Sequence, residues 1–174
     1  MNTASQDERY ELAAARFGGA IERLARAYEA GDEERRDLMQ DIHLALWRSF
    51  TVFDERCSLR TWVYRVAHNT AASHVAAARR IRSRQLVSIE EASEALSADD
   101  PEREVSEDRA MQQLMQLIRQ LKQPDRQIVL LHLEDLSAAE IGEIAGLSAG
   151  AVRTKIHRLK AVLVKRFKGG GHAE

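Results

Sequence analysis

Apolar residues recur at helical spacing through most of the chain. In the first segment Leu12, Ile21, Leu24 and Tyr28 are among them, which predicts a helix over about Tyr10–Glu29 that Gly18-Gly19 interrupts or kinks. Residues 1–8 are polar and are expected to fray. Gly31-Asp32 ends the first helix and caps a second, predicted over about Glu33–Phe50. There Leu38, Ile42, Ala45, Leu46 and Ser49 lie along one side with Trp47 beside them, and Asp37, Gln40 and Asp41 occupy the outer side. Asp54–Ser58 reads as a turn, with Ser58 as N-cap of a third helix that runs to about Arg84. Later, Met111, Leu114, Met115, Ile118 and Leu121 make another apolar face. Pro124 suits a first helical position, and Ile128, Val129, Leu131, Leu133 and Leu136 carry the core onward.

The pattern is sharpest from Ser137 to Lys168. Ser137 and Glu140 fit a capping box, in which the hydroxyl takes a free helix N–H and the carboxylate reaches back to the cap. Gly146 stands where a helix would end in the left-handed conformation. Ser148 then caps the next helix, and Leu147 can pack on Val152. In that helix Val152, Ile156, Leu159 and Leu163 form one apolar stripe. Gly150, Thr154, His157 and Arg158 lie opposite, flanked by Arg153, Lys155 and Lys160. A glycine turn between two short helices, the second apolar on one side and cationic on the other, is the pattern of a helix-turn-helix.

Charge changes the picture only when resolved by segment. The net charge of the 174 residues is −1, yet Gly150–Lys168 holds seven Lys/Arg and no acid. Arg56–Arg84 holds seven arginines and no acid, with Trp62, Tyr64, His68 and Asn69 among them. A helix of one sign forgoes the usual i,i+4 pairing and suits a polyanion. Arginines interleaved with aromatics suit a partner that is part duplex and part single strand. Gln85–Arg109 reverses the sign, with nine acids against two arginines, and reads as a flexible linker. A coil of that length spans roughly 25–30 Å, and a fully extended chain about 80 Å.

The remaining composition narrows the class. Richness in Ala, Leu, Arg and Glu with two prolines favours an all-α fold. The single cysteine, Cys57, permits no intrachain disulfide. No signal-peptide core and no membrane-length apolar run occurs, so a cytoplasmic protein without direct membrane insertion is expected. The histidines are scattered, and no phosphate loop or acid–base pair stands out; no metal, cofactor or catalytic residue is expected.

In order, these motifs resemble the extracytoplasmic-function (group IV) RNA polymerase sigma factors over roughly residues 10–168. Asp37-Leu-Met-Gln-Asp-Ile-His-Leu-Ala-Leu-Trp47-Arg is similar to that family's region 2.2. Leu59-Arg-Thr-Trp62-Val-Tyr64-Arg65-Val-Ala-His68-Asn69 resembles regions 2.3 and 2.4. Leu121–Arg126, Ile128–Leu131, Leu136–Ala145 and Ser148–Leu159 together resemble region 4. Two departures stand out: Thr-Ala-Ala-Ser73-His74 follows Asn69 where an acid and a basic cluster are common, and Ala151 replaces a threonine.

The resemblance implies two small helical domains joined by a flexible acidic linker. Residues 1–84 would be region 2, 85–108 the linker, 109–168 the region 4 helix-turn-helix and 169–174 a flexible tail. It implies binding to core RNA polymerase at the β′ clamp helices, through Asp37, Gln40 and Asp41, and at the β flap. It implies −10 recognition by Arg60, Trp62, Tyr64, Arg65, His68, Asn69, Arg79 and Arg80, with Asn69 and His68 lining a pocket for a flipped base. It implies −35 recognition by Ser148, Arg153, Thr154, Lys155, His157 and Arg158. The linker would thread a basic channel of the polymerase, and an anti-sigma factor would control the protein, holding it at the inner membrane face where that partner is membrane-linked. The alternative is a stand-alone helix-turn-helix regulator, which leaves Arg56–Arg84 and the outer side of Asp37–Asp41 without a role. A sigma-like adaptor that binds acidic proteins is a third reading, and an enzyme is the least favoured.

Overall fold

The computed structural model describes residues 5–82, 87–89, 91 and 107–167. The chain forms two compact units, residues 1–84 with 143–146 and residues 85–142 with 147–174. Among the described residues there are seven helices and no strand.

The first unit packs three helices, α1 (Gln6–Tyr28), α2 (Asp32–Ser49) and α3 (Leu59–Arg82), each against the other two. Helix α1 starts earlier than its apolar spacing predicts. The Ser5 hydroxyl accepts the Glu8 N–H at 3.2 Å, and the Glu8 carboxylate accepts the Ser5 N–H at 2.6 Å, a reciprocal cap that overrides fraying. Gly18-Gly19 lies within one unbroken helix. Ala13, Ala20, Ala25 and Ala27 are buried along α1, and their small side chains let the neighbouring helices approach; Leu12, expected in the core, is half exposed. Helix α2 contributes Leu38, Ile42 and Leu46, all fully buried. Burying each such side chain stabilises the bundle by about 1.5–3 kcal/mol. Ser58 caps α3 as predicted, its hydroxyl accepting the Thr61 N–H at 3.1 Å.

The second unit contains α4 (Glu107–Gln120), α5 (Asp125–Leu133), α6 (Ala138–Ala145) as far as Gly142, and α7 (Ala149–Phe167). Pro124 is the N-cap of α5 rather than its first residue. Leu117, Ile118, Leu121, Ile128, Leu131, Ile141, Val152, Leu159 and Val162 form the core, while Met111 and Leu133, expected at core positions, are about half exposed. Arg126 is buried, and its Nε donates to the carbonyls of Ile118 and Leu121 at 3.1 and 3.2 Å. Its Nη2 donates to the Arg119 carbonyl. The guanidinium thus closes the C-terminal end of α4, where unpaired carbonyls and the helix dipole favour a cation.

The expected linker, 85–108, is not a tether at its start. The Val87 N–H donates to the Gln120 carbonyl and the Val87 carbonyl accepts the Lys122 N–H, both at 2.9 Å, in a parallel bridge to Leu121. Val87 packs against Leu117 and Val162, and Ile89 is 1% exposed. Ser88 and Glu91 form a further reciprocal cap. That cap and Lys122 hold the exposed Glu91 carboxyl below the usual range. Two β-branched residues prevail over the surrounding charge because they have an apolar seat. Residues 92–106 and the tail 169–174 lie outside the described residues.

Candidate polymerase and nucleic-acid interfaces

On α2, Asp37, Gln40 and Asp41 are all exposed. Spacings of three and four keep Leu44 and Trp47 on the same side, and both are exposed large apolar residues. The Trp47 indole N–H donates to Asp7 at 2.8 Å, and the Gln6 side chain donates to the Trp47 carbonyl at 2.7 Å. Leu44 is a candidate that the motif pattern does not single out, and its one signal is that it stands off the Leu38–Ile42–Leu46 stripe. His74 Nδ1 lies 3.1 Å from Asp41 Oδ2, so α3 steadies one end of this face.

The structure splits the candidate −10 residues of α3. Asn69 is exposed, and Arg60 and Arg65 are half-buried. The Arg60 guanidinium stands over the Tyr64 ring, 6.0 Å from its centroid. Tyr64 and His68 are core residues, 5% and 2% exposed. His68 packs edge-on to Tyr28 and tilted to Tyr64, with Nδ1 3.2 Å from the Tyr28 hydroxyl. Burial lowers its pKa to about 3, so it is a neutral imidazole at physiological pH. Tyr64 and His68, both expected at the DNA, thus lie in the core of the bundle. Trp62 is half-buried, its ring against Phe53 at 5.1 Å and its N–H donating to Ser49 at 2.9 Å. Both contacts tie it to the bundle. The side chains of Arg79 and Arg80 lie outside the described residues, though both positions belong to α3.

The second unit presents the helix-turn-helix. Ser137 and Glu140 cap α6 reciprocally, at 2.8 and 3.2 Å. Gly142 is required by close approach, because a Cβ there would stand 2.5 Å from the Leu147 carbonyl oxygen. Gly146 takes φ +72°, which costs glycine little. The Ser148 hydroxyl accepts the Ala151 N–H at 3.1 Å and starts α7. Val152, Leu159 and Val162 face inward; Arg153, Thr154, His157 and Arg158 are exposed together. The Thr154 hydroxyl donates to the Gly150 carbonyl at 3.1 Å. Lys155, expected at the DNA, has a partner within the unit: its ammonium sits 2.6 Å from the buried Asp125 carboxylate, thirty residues away.

Comparison with known proteins decides what these faces belong to. Residues 14–81 match the family model described as Sigma-70 region 2, and residues 111–163 match Sigma-70, region 4. The chain is 32% identical over 140 residues to the ECF RNA polymerase sigma factor SigF of Caulobacter vibrioides, covering 79% of this chain and 72% of SigF. The chain belongs to the extracytoplasmic-function RNA polymerase sigma factors. This sigma factor is also 29% identical over 168 residues to the RNA polymerase sigma factor NccH of Alcaligenes xylosoxydans, covering 92% and 88% of the two chains. Its fold is shared with CnrH, solved in complex with the cytosolic domain of CnrY: the TM-score is 0.66 at 21% identity, over 97% and 92% of the chains. As a sigma factor it binds core RNA polymerase and directs initiation at promoters bearing −10 and −35 elements. The stand-alone regulator reading leaves the region 2 match unused. No described helix is long and apolar enough to cross a membrane. Among the described residues no group of three or more His, Cys, Asp or Glu could hold a metal ion.

Proposed function

We propose that this sigma factor divides initiation among three faces. Asp37, Gln40 and Asp41, with Leu44 and Trp47, dock on the core polymerase; the exposed apolar pair supplies the buried centre and the carboxylates the polar rim. Arg60, Arg65 and Asn69, with Arg79 and Arg80 further along α3, engage the −10 element, Asn69 beside a base drawn from the stack. Arg153, Thr154, His157 and Arg158 enter the −35 major groove, and the N-terminus of α7 at Ser148 faces a phosphate. The observation that carries this reading is α7: four exposed polar residues opposite buried Val152, Leu159 and Val162, on a helix without an acid.

The chain acts in the cytoplasm as an initiation factor and not as an enzyme. Region 2 extends to about residue 84, and region 4 takes in residues 87–91 as well as 109–168. An anti-sigma factor covers the polymerase-binding face, a reading supported by the CnrH fold having been solved with the cytosolic domain of CnrY. Reconstituted transcription with core polymerase tests the whole: start sites should cluster downstream of paired elements. Arg153→Ala and Arg158→Ala should each weaken use of the −35 element, by about 1–3 kcal/mol where the arginine is bidentate to a base. Unchanged promoter binding in both variants sinks the α7 assignment. Asn69→Ala should impair promoter opening, read with a fluorescent base analogue, more than it impairs core binding; equal losses would make Asn69 structural.

A further inference from the structure

One cation of α7 is set apart from its neighbours. Arg153, Thr154, His157 and Arg158 are exposed, whereas the Lys155 side chain is 24% exposed. Lys155 precedes Arg158, Leu159 and Val162 by three, four and seven residues, so it stands where the cationic side of the helix meets the buried stripe. From there its ammonium reaches Asp125 Oδ1 at 2.6 Å. Asp125 is the first residue of α5 and is 3% exposed. Its other oxygen, Oδ2, accepts the Ile89 N–H at 2.9 Å. The carboxylate is thus fixed by two partners and favoured by the positive end of the α5 dipole. We infer that Asp125 is a positioning residue of the −35 reader: it holds the Lys155 ammonium at the inner edge of α7 and so keeps one cation of that helix off the DNA backbone. The inference rests on the reading of α7 as the −35 recognition helix.

The energetics favour this pair over a phosphate. Drawing the lysine away leaves a buried carboxylate without its cation, which costs more than an exposed ion pair returns. The consequence falls on sequence-independent binding. A lysine on a phosphate grips any duplex and brings no sequence information. Holding Lys155 back lowers the grip of α7 on all DNA alike and leaves discrimination to Arg153, Thr154, His157 and Arg158.

Asp125→Asn is the direct test. The amide keeps an oxygen for the Ile89 N–H but offers the ammonium no charge, so Lys155 is no longer held. The full chain, bound to core polymerase, is titrated onto duplexes with an intact and with a scrambled −35 element over a range of salt. On both duplexes the variant should steepen the slope of log affinity against log salt by about one, so that the affinity lost between about 50 and 200 mM salt grows by a further factor of about 3.5. Adding Lys155→Met to Asp125→Asn should return the slope to that of the parent, a reversal that a merely structural carboxylate would not show. Should Asp125→Asn fail to fold, the parent supplies the reading. The NMR signal of the Lys155 ammonium nitrogen, assigned by its loss in Lys155→Arg, should keep its free-chain position when the −35 duplex is added. A signal that moves, or an Asp125→Asn slope equal to that of the parent, overturns the role of Asp125 alone. If Arg153→Ala and Arg158→Ala both leave binding to the intact duplex unchanged, the −35 reading of α7 falls, and the inference with it.

Discussion

His68 shows how a residue inside an arginine-rich helix can serve the fold. Its folded pKa of about 3 lies below the ordinary value of 6.5 because the protonated ring would be buried against two tyrosines. Between those values the unfolded chain binds a proton that the folded chain refuses. Its contribution to stability is therefore complete above about pH 6.5 and is lost as pH falls toward 3, with a slope of up to about 1.4 kcal/mol per unit. His43, whose pKa burial also lowers, acts in the same direction. Urea denaturation between pH 7 and 4 should show this slope, and His68→Gln should flatten it; an unchanged slope assigns the effect to other groups. His68→Ala should destabilise region 2 by about 2–4 kcal/mol, since it opens a cavity and strips the Tyr28 hydroxyl of its partner. The burial of Tyr64 and His68 is legible in principle: they stand four apart beside Val63, Ala67 and Ala71, one helical face. Arginine and aromatic content pulls the reading of both toward DNA. Lys155 is not legible, because nothing local signals a carboxylate thirty residues away.

At the scale of elements, the turn between α6 and α7 is the most constrained. Gly142→Ala pushes a Cβ into the Leu147 carbonyl, a backbone atom that cannot swing aside. It should destabilise region 4 by about 1–3 kcal/mol, the range for overpacking. Ser137→Ala and Ser148→Ala should each lose about 1 kcal/mol, a typical cap. Thermal unfolding followed by circular dichroism checks all three, and a neutral Gly142→Ala would mean that the turn relaxes. This hairpin is readable in full because its caps, glycine and apolar stripe are all local. The same signature, Ser5-x-x-Glu8, stands at the chain's start, where surrounding polarity suggests fraying instead. Val87 and Ile89 are hidden differently: nine acids set the character of their segment, while Val87 packs on Leu117 of α4 and Val162 of α7 and the Ile89 N–H donates to Asp125 of α5.

For the whole molecule, the proposed function makes affinity for promoters a matter of cations on two readers. Salt dependence should reflect this. Removing one cation that meets a phosphate should reduce the slope of log affinity against log salt by about one. Lys155→Met should leave that slope unchanged because Asp125 already holds the ammonium, while Arg153→Ala or Arg158→Ala lowers it wherever the arginine meets a phosphate. A lower slope for Lys155→Met would return that residue to the DNA-facing set.

The aromatic clustering around Phe53 and Trp62 has an optical consequence. Both tryptophans and all three tyrosines precede residue 65. Intrinsic fluorescence therefore watches region 2 and is blind to the −35 module, whereas circular dichroism sees the helices of both. Melting the full chain under the two probes together separates the halves without cutting the protein: coincident curves mean one cooperative unit, and divergent curves report each module's own stability.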